Sequence, residues 1–231
     1  MAGGGSFVTL PALIAAGVPS INANATSSLS LYPAGMVSAW VYRGNMGGVC
    51  GVGIRPLLIT SLTGGLVGSL LLLWTPTTVF DAVLPWLLLL ATLALAFGQR
   101  IGAALKGKVH GSAKVVLPVQ FGLAVYGGYF GGALGLMMMA AWSLLDGRDV
   151  KVLNGPRVLM VTGANTVAIL LFVLAGLVQW PEALVMSLSA LVGGFAGAHL
   201  GRRIDARLVR GATLILASCM TAVFFWKADG H

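Results

Sequence analysis

This sequence is short of charge: only 9% of its 231 residues are Asp, Glu, Lys or Arg. Ordinary soluble domains carry about 25%, so the chain cannot coat a water-soluble globule of its size. Its two cysteines, Cys50 and Cys219, have neither metal-ligand spacing nor an obvious disulfide role. The three histidines, His110, His199 and His231, are scattered, which argues against a metal site. Asp81, Asp146, Asp149 and Glu182 all fall near the ends of apolar stretches, so none marks an intramembrane proton route. A membrane-embedded enzyme would need Ser with His, paired carboxylates or a His cluster within its spans, and the spans carry none of these. With no basic n-region and no cleavage motif at the start, no cleavable signal peptide is expected.

What the chain has is apolar length. Hydrophobic residues make up 58% of it and its mean hydropathy is +0.94, so lipid is the expected solvent. A hydrocarbon core of about 30 Å takes about 20 helical residues to cross. Six stretches reach that length: Ala23 to Tyr42, Pro56 to Trp74, Val79 to Gly98, Val152 to Gly176, Trp180 to Leu200, and Leu208 to Trp226. The net charge of +8 sits in short loops without aromatic interleaving, which fits a topology signal and not nucleic acid.

One further apolar run, Gln120 to Trp142, is broken at its centre by Gly127-Gly128-Tyr129-Phe130-Gly131-Gly132, and the chain opens on a similar cluster, Gly3-Gly4-Gly5-Ser6. Paired glycine-broken segments in two halves of a membrane protein point to a transport site, because freed backbone groups are tolerated there only where they line a cavity. An internal repeat supports two halves. Gly64-Gly65-Leu66-Val67-Gly68 recurs as Gly193-Gly194-Phe195-Ala196-Gly197, 129 residues on, and Asn24 is matched by Asn154, 130 residues on. Small residues at four-residue spacing are common where membrane helices approach closely, so packing is the leading reading of these glycines. The first repeat is expected over residues 1–100 and the second over 114–231, joined by a polar cytoplasmic linker at 101–113.

Loop charge sets the orientation. Arg43 to Arg55, Arg100 to Lys114 and Gly201 to Arg207 are basic, whereas Thr75 to Thr78 and Leu177 to Gln179 carry no basic residue. All basic loops fall inside only if Lys114 to Leu145 enters, turns at the glycines and leaves by the same face. Each arm is then about a dozen residues, half a bilayer at 1.5 Å per residue. The fold expected is an all-α polytopic membrane protein of two inverted repeats, each a glycine-broken re-entrant hairpin plus three transmembrane helices. The alternative is one long kinked helix through Gly127 to Gly132.

These residues carry a resemblance. Gly3-Gly4-Gly5-Ser6-Phe7-Val8-Thr9-Leu10-Pro11, Asn22-Ala23-Asn24-Ala25-Thr26, Pro85-Trp86-Leu87-Leu88-Leu89-Leu90-Ala91-Thr92, Gly128-Tyr129-Phe130-Gly131-Gly132 and Leu174-Ala175-Gly176-Leu177-Val178-Gln179-Trp180-Pro181 resemble the sulfite exporter TauE/SafE family of bacterial membrane proteins. The resemblance covers nearly the full chain. It implies a multi-pass transporter of the bacterial inner membrane for sulfite, sulfoacetate or related organosulfur anions. Its partners would be the small anionic substrate, the lipid bilayer and a second copy in a homodimer, with no cofactor and no nucleic acid. The family usually has a further apolar arm before the first glycine cluster, so a truncated or wrongly assigned start is expected. It commonly shows Asn, two small or apolar residues and Lys where this chain has Asn154-Gly155-Pro156-Arg157.

Proline is welcome in a first helical turn, so a helix is expected to start at Gly155 or Pro156, with Asn154 beside the cap and Arg157 in that turn. A guanidinium there works against the helix dipole but makes a good oxyanion clamp. The alternative is an interface anchor, since Lys151 is only about 9 Å away along the axis. Asn24 and Asn154 read first as inter-helix hydrogen-bond partners, and the sequon Asn24-Ala25-Thr26 as chance. The candidate binding set is Arg157, Asn154, Asn24, Thr26, Gly5, Ser6, Gly131, Gly132 and Asn165. A scaffold that transports nothing would not need the broken helices.

Overall fold

The computed structural model describes residues 5–45, 47–104, 112–146, 148, 150–200 and 206–228. Nine helices occur among them: α1 (Ser6–Ala15), α2 (Ser20–Val41), α3 (Ile54–Trp74), α4 (Thr77–Ala104), α5 (Ala113–Tyr129), α6 (Leu134–Leu145), α7 (Val150–Leu174), α8 (Trp180–Leu200) and α9 (Ala206–Ala228). No strand is present among the described residues. Gly3, Gly4, most of the 101–113 linker, and Arg202 and Arg203 lie outside the description.

Glycine ends the helices where the chain must turn. At the end of α1, Gly17 takes φ +87°, and the Val18 and Gly17 N–H groups donate to the Leu13 and Ile14 carbonyls, each at 3.0 Å. At the end of α7, Gly176 takes φ +69°, and Leu177 and Gly176 donate to Phe172 at 3.0 Å and Val173 at 3.1 Å. Both are left-handed caps of the Schellman kind, a conformation that glycine adopts without steric cost. Pro76 stops α3, holding Thr75 extended at ψ 122°.

The stretch from Gln120 to Trp142 doubles back. α5 runs to Tyr129, the chain turns through residues 130–133, and α6 returns, with Trp142 Nε1 donating to Gln120 Oε1 at 3.1 Å. A continuous helix would hold those residues about 33 Å apart, so the single-kinked-helix reading fails. The break is narrower than the glycine cluster: Gly127 and Gly128 belong to α5, and the turn itself carries φ +72° at Gly131 and +56° at Ala133. Gly127 and Gly128 are needed for close approach, because a Cβ on Gly128 would overlap the Gly65 carbonyl and one on Gly127 the Leu134 side chain.

Helix starts at residues 6, 20, 54 and 77 (α1 to α4) are followed by starts at 134, 150, 180 and 206 (α6 to α9), so each later helix trails its counterpart by 126 to 130 residues. The packing partners correspond too. α3 packs on α7 as α8 packs on α2, α6 on α7 as α1 on α2, and α4 on α6 as α9 on α1, while α2–α7 and α4–α9 pair across the middle.

Two cores result. One joins Phe7, Leu10 and Leu13 of α1 to Leu72 of α3, Phe80, Leu84 and Leu88 of α4, and Phe172 of α7. The other joins Leu57, Val116, Leu134, Met138, Trp142, Leu153 and Met160 and is capped by Val49 and Val52. On the outside, Trp40, Trp74, Trp180 and Trp226 stand exposed near helix ends, where indole rings sit at membrane–water interfaces. Among the described residues three helices are long and apolar enough to cross a membrane: Ile54–Trp74, Thr77–Gly98 and Val152–Leu174. α2 has 22 residues, about 33 Å, but its buried face is polar, with Ser20, Asn24, Thr26, Ser27 and Ser30 turned inward.

The glycine stripe of α3 is a packing device. A Cβ on Gly64 would stand 2.6 Å from the Ala124 Cβ, one on Gly65 2.6 Å from the Ala164 carbonyl oxygen, and one on Gly68 would overlap the Val125 carbonyl. Its counterpart does not behave alike: among the described residues nothing lies within 4 Å of a Cβ on Gly193, so no packing contact is found there. Gly194 and Gly197 lie outside the described side chains.

α7 corrects another expectation. It begins at Val150, and Pro156 lies inside it. Leu153 is fully buried in the second core, and that packing keeps the residues before Pro156 helical against the proline's preference for a first turn.

Candidate functional site

Gly5 of the first glycine cluster and Gly131 of the second both meet the middle of α2. A Cβ on Gly5 would stand 2.9 Å from a Leu31 methyl, and one on Gly131 3.1 Å from Ser28 Oγ. Ser28 and Leu31 flank the midpoint of a helix that runs from Ser20 to Val41. Gly5 caps α1, its carbonyl accepting the Val8 and Thr9 N–H groups at 3.0 Å and the Thr9 hydroxyl at 3.1 Å. Thr9 also meets Ser27 Oγ at 2.5 Å. Ser6, the first residue of α1, is half-buried.

At the second break, buried Asn24 donates its amide to the Tyr129 carbonyl at 3.0 Å, which satisfies the end of α5. This is the inter-helix role expected of it. Gly132 is needed because a Cβ there would overlap the Phe130 ring. Gly131 and Gly132 lead into α6, whose second residue, Gly135, lies against Arg157: Nη1 donates to the Gly135 carbonyl at 3.4 Å. Nη2 donates to Asn154 Oδ1 at 2.5 Å. Asn154 therefore pairs within its own helix and not between helices. Arg157 Nε is buried with no partner among the described residues. Arg157 is the eighth residue of α7, beyond the reach of that helix's own first-turn dipole; the helix start beside it belongs to α6.

Thr26 is fully buried, and its hydroxyl accepts the Gln179 N–H at 3.0 Å, so it ties α2 to the turn before α8 and is spent on structure. Asn22 does the same through the Leu177 carbonyl at 2.9 Å. Asn165 is half-buried on α7. The structure thus draws Arg157, Asn154, Gly131, Gly132 and Asn24 around one turn, sets Gly5 against Leu31 three residues along α2 from the Ser28 that meets Gly131, leaves Ser6 at the start of α1, and sets Thr26 apart. Sequence reasoning missed Gly135 and Ser28. The one signal for Gly135 is its place two residues inside α6, and Ser28 is one of many serines in α2.

At the end of α6 away from the break, Asp146 forms an ion pair with Arg148 at 2.6 Å. Asp146 Oδ2 also accepts the Cys50 N–H at 2.7 Å, and Arg148 donates to the Gly48 carbonyl at 2.5 Å. This clasp fastens the loop between α2 and α3 to the α6–α7 junction. The Arg148 hydrogen bond holds the Asp146 carboxyl down at about 2, while burial, then the Asp146 charge, pushes the Cys50 thiol up to about 11.

Residues 1–224 match the family described as sulfite exporter TauE/SafE. The chain belongs to that family. It is 28% identical over 235 residues to "Probable membrane transporter protein YfcA" of Escherichia coli (strain K12), covering 100% of this chain and 86% of the relative. It is also 28% identical over 222 residues to a "Probable membrane transporter protein" of Haemophilus influenzae, covering 96% and 87%. A third relative, "Probable membrane transporter protein ORF9" of Sinorhizobium sp, is 31% identical over 226 residues, covering 93% and 80%. No solved structure matches. As a TauE/SafE protein with helices of this length and polarity, the chain is a helical membrane transporter.

Proposed function

We propose that this TauE/SafE protein carries small oxyanions across the bacterial inner membrane, with sulfite, sulfoacetate and related organosulfur anions as its substrate class and export as the direction. One observation carries the reading. Arg157 is a half-buried cation within α7 whose hydrogen bonds among the described residues go to two neutral oxygens, Asn154 Oδ1 and the Gly135 carbonyl, while its Nε finds no partner there. A buried charge is costly unless it is paired, and no carboxylate pairs with it among the described residues. A dianion can supply that pairing, accepting from a guanidinium fork that presents donors in a fixed plane. The turn at Gly131 and Gly132, a few residues before the Gly135 that Arg157 touches, would then supply backbone donors to the same anion.

In this reading the chain is two inverted repeats, residues 1–100 and 114–231, with the broken helices α1 and α5–α6 entering from opposite faces. The regular offset between corresponding helix starts and their matching packing partners support it. The test is flux of labelled sulfite, sulfoacetate, thiosulfate and sulfate into proteoliposomes. Arg157→Ala should abolish transport of the preferred anion while insertion and yield stay intact. Transport at the parental rate would make Arg157 an interface anchor and remove it from the site.

A further inference from the structure

The face of α2 that meets the second break continues past it. Asn24, Ser28, Tyr32 and Gly35 recur at helical spacing along one stripe. Asn24 and Ser28 touch the α5–α6 turn, and Tyr32 and Gly35 meet α7: the Tyr32 hydroxyl lies 2.6 Å from Thr166 Oγ1, and Thr162 Oγ1 donates to the Gly35 carbonyl at 3.3 Å. The direction of the Tyr32 bond follows from proton counting. Thr166 has one hydroxyl hydrogen and donates it to the Thr162 carbonyl at 2.7 Å, a group that can only accept. Tyr32 must therefore be the donor to Thr166. A phenol proton is held at the middle of the seam by one neutral acceptor, one helical turn from the Ser28 that abuts Gly131.

The seam is not closed. Ser28, Tyr32, Gly35, Thr162, Asn165 and Thr166 are all half-buried, although they sit where two helices pack. Asn165 lies between the Arg157 and Thr162 directions of α7 when the helix is viewed down its axis. A polar amide at this depth belongs beside water or a solute and not beside lipid.

We propose that the Tyr32 hydroxyl is a substrate-contacting residue, a donor that leaves Thr166 for an oxygen of the anion as it passes between α2 and α7. The assignment rests on the anion reading of Arg157 and extends it by naming the path. The exchange costs little, because one hydrogen bond to a neutral oxygen is replaced by a stronger one to a charged oxygen. Thr166 is then the resting acceptor, and it positions Tyr32 without itself binding.

Concentration dependence of labelled sulfite flux in proteoliposomes separates this from a simple helix-to-helix staple. Tyr32→Phe removes the donor and should raise the half-saturating concentration by about tenfold, the worth of one charge-assisted hydrogen bond. Thr166→Val removes the competing acceptor, together with the bond inside α7 to the Thr162 carbonyl, and leaves the Tyr32 donor, so its half-saturating concentration should equal the parental value or fall below it. Both variants delete the same bond, so a staple, or a general loss of fold, would impair them alike, and that result overturns the proposal. An unchanged half-saturation in Tyr32→Phe overturns it too, and if Arg157→Ala abolishes flux in the same series the anion reading stands without it. Flux by Arg157→Ala at the parental rate removes the Arg157 site instead, and absence of sulfite flux in the parental protein defeats both.

Discussion

Gln120 and Trp142 stand at opposite ends of one apolar run, and the indole N–H of Trp142 donates to the Gln120 side-chain oxygen at 3.1 Å. Gln120 passes its own N–H to Ser61 Oγ at 2.7 Å, and Ser61 donates to the Leu57 carbonyl at 2.9 Å. Three helices are joined by one fully buried amide. Gln120→Leu leaves the Trp142 N–H buried without an acceptor, at a cost of about 1–3 kcal/mol. Thermal unfolding of the purified protein in detergent should show a midpoint several degrees lower, whereas an unshifted midpoint would mean the amide holds nothing.

That fold was legible in the sequence where length and composition spoke together. The α3, α4 and α7 spans and the doubling back at Gly131 follow from apolar length, loop charge and glycine. Pro156 misled, because proline reports local preference while Leu153, buried in the second core, decides where α7 starts. Gly193 misled because a repeated motif predicts a repeated neighbour, and only the α3 copy has α5 against it. Of the site, Arg157 and Asn24 could be found as polar residues out of place in apolar runs. Gly135 could not, since its part is played by a backbone carbonyl that every residue possesses.

The two glycine stripes make opposite predictions. Gly68→Ala drives a methyl into the Val125 carbonyl, backbone against backbone, where neither side can turn away, and overpacking of this kind costs about 1–3 kcal/mol or more. Gly193→Ala meets open space. Membrane-inserted yield and thermal midpoint should fall for the first and hold for the second, and equal behaviour would contradict the packing described for α3.

The Asp146–Arg148 clasp lies beyond the end of α6 and has a defined pH behaviour. Arg148 holds the Asp146 carboxyl at about 2, below its ordinary 3.8, so the clasp's contribution is present above the ordinary value and is lost as pH falls toward 2. Between pH 5 and 9 Asp146 adds no pH dependence to stability. Cys50, with its thiol pushed up to about 11 mainly by burial, should alkylate slowly with iodoacetamide at pH 8 in a Cys219→Ser background. Asp146→Asn removes the charge and frees the loop, so alkylation at pH 8 should quicken; an unchanged rate would show that the clasp does not hold Cys50.

Orientation is tested by labelling. In a variant without Cys50 and Cys219, Thr77→Cys and Gly201→Cys place single thiols at a loop with no basic residue and at a basic one. The positive-inside rule puts Gly201 in the cytoplasm and Thr77 outside, so an impermeant maleimide added to intact cells should reach only Thr77→Cys. Labelling of both from one face would remove the inverted topology.

The guanidinium of Arg157 offers two changes finer than its removal. Arg157→Lys keeps a point charge but loses the planar fork and the reach to both Asn154 Oδ1 and the Gly135 carbonyl, so anion flux should fall about tenfold without vanishing. Gly135→Ala leaves the cation untouched and moves it. A Cβ at that position would stand 3.1 Å from Arg157 Nη1, tighter than an ordinary van der Waals contact, so the guanidinium must shift away from the start of α6. If the anion is held between Arg157 and that turn, Gly135→Ala should weaken apparent affinity severalfold while leaving the maximal rate nearly intact, because the charge remains and only its placement has changed. Gly135→Ala with parental affinity would locate the bound anion on some other side of Arg157.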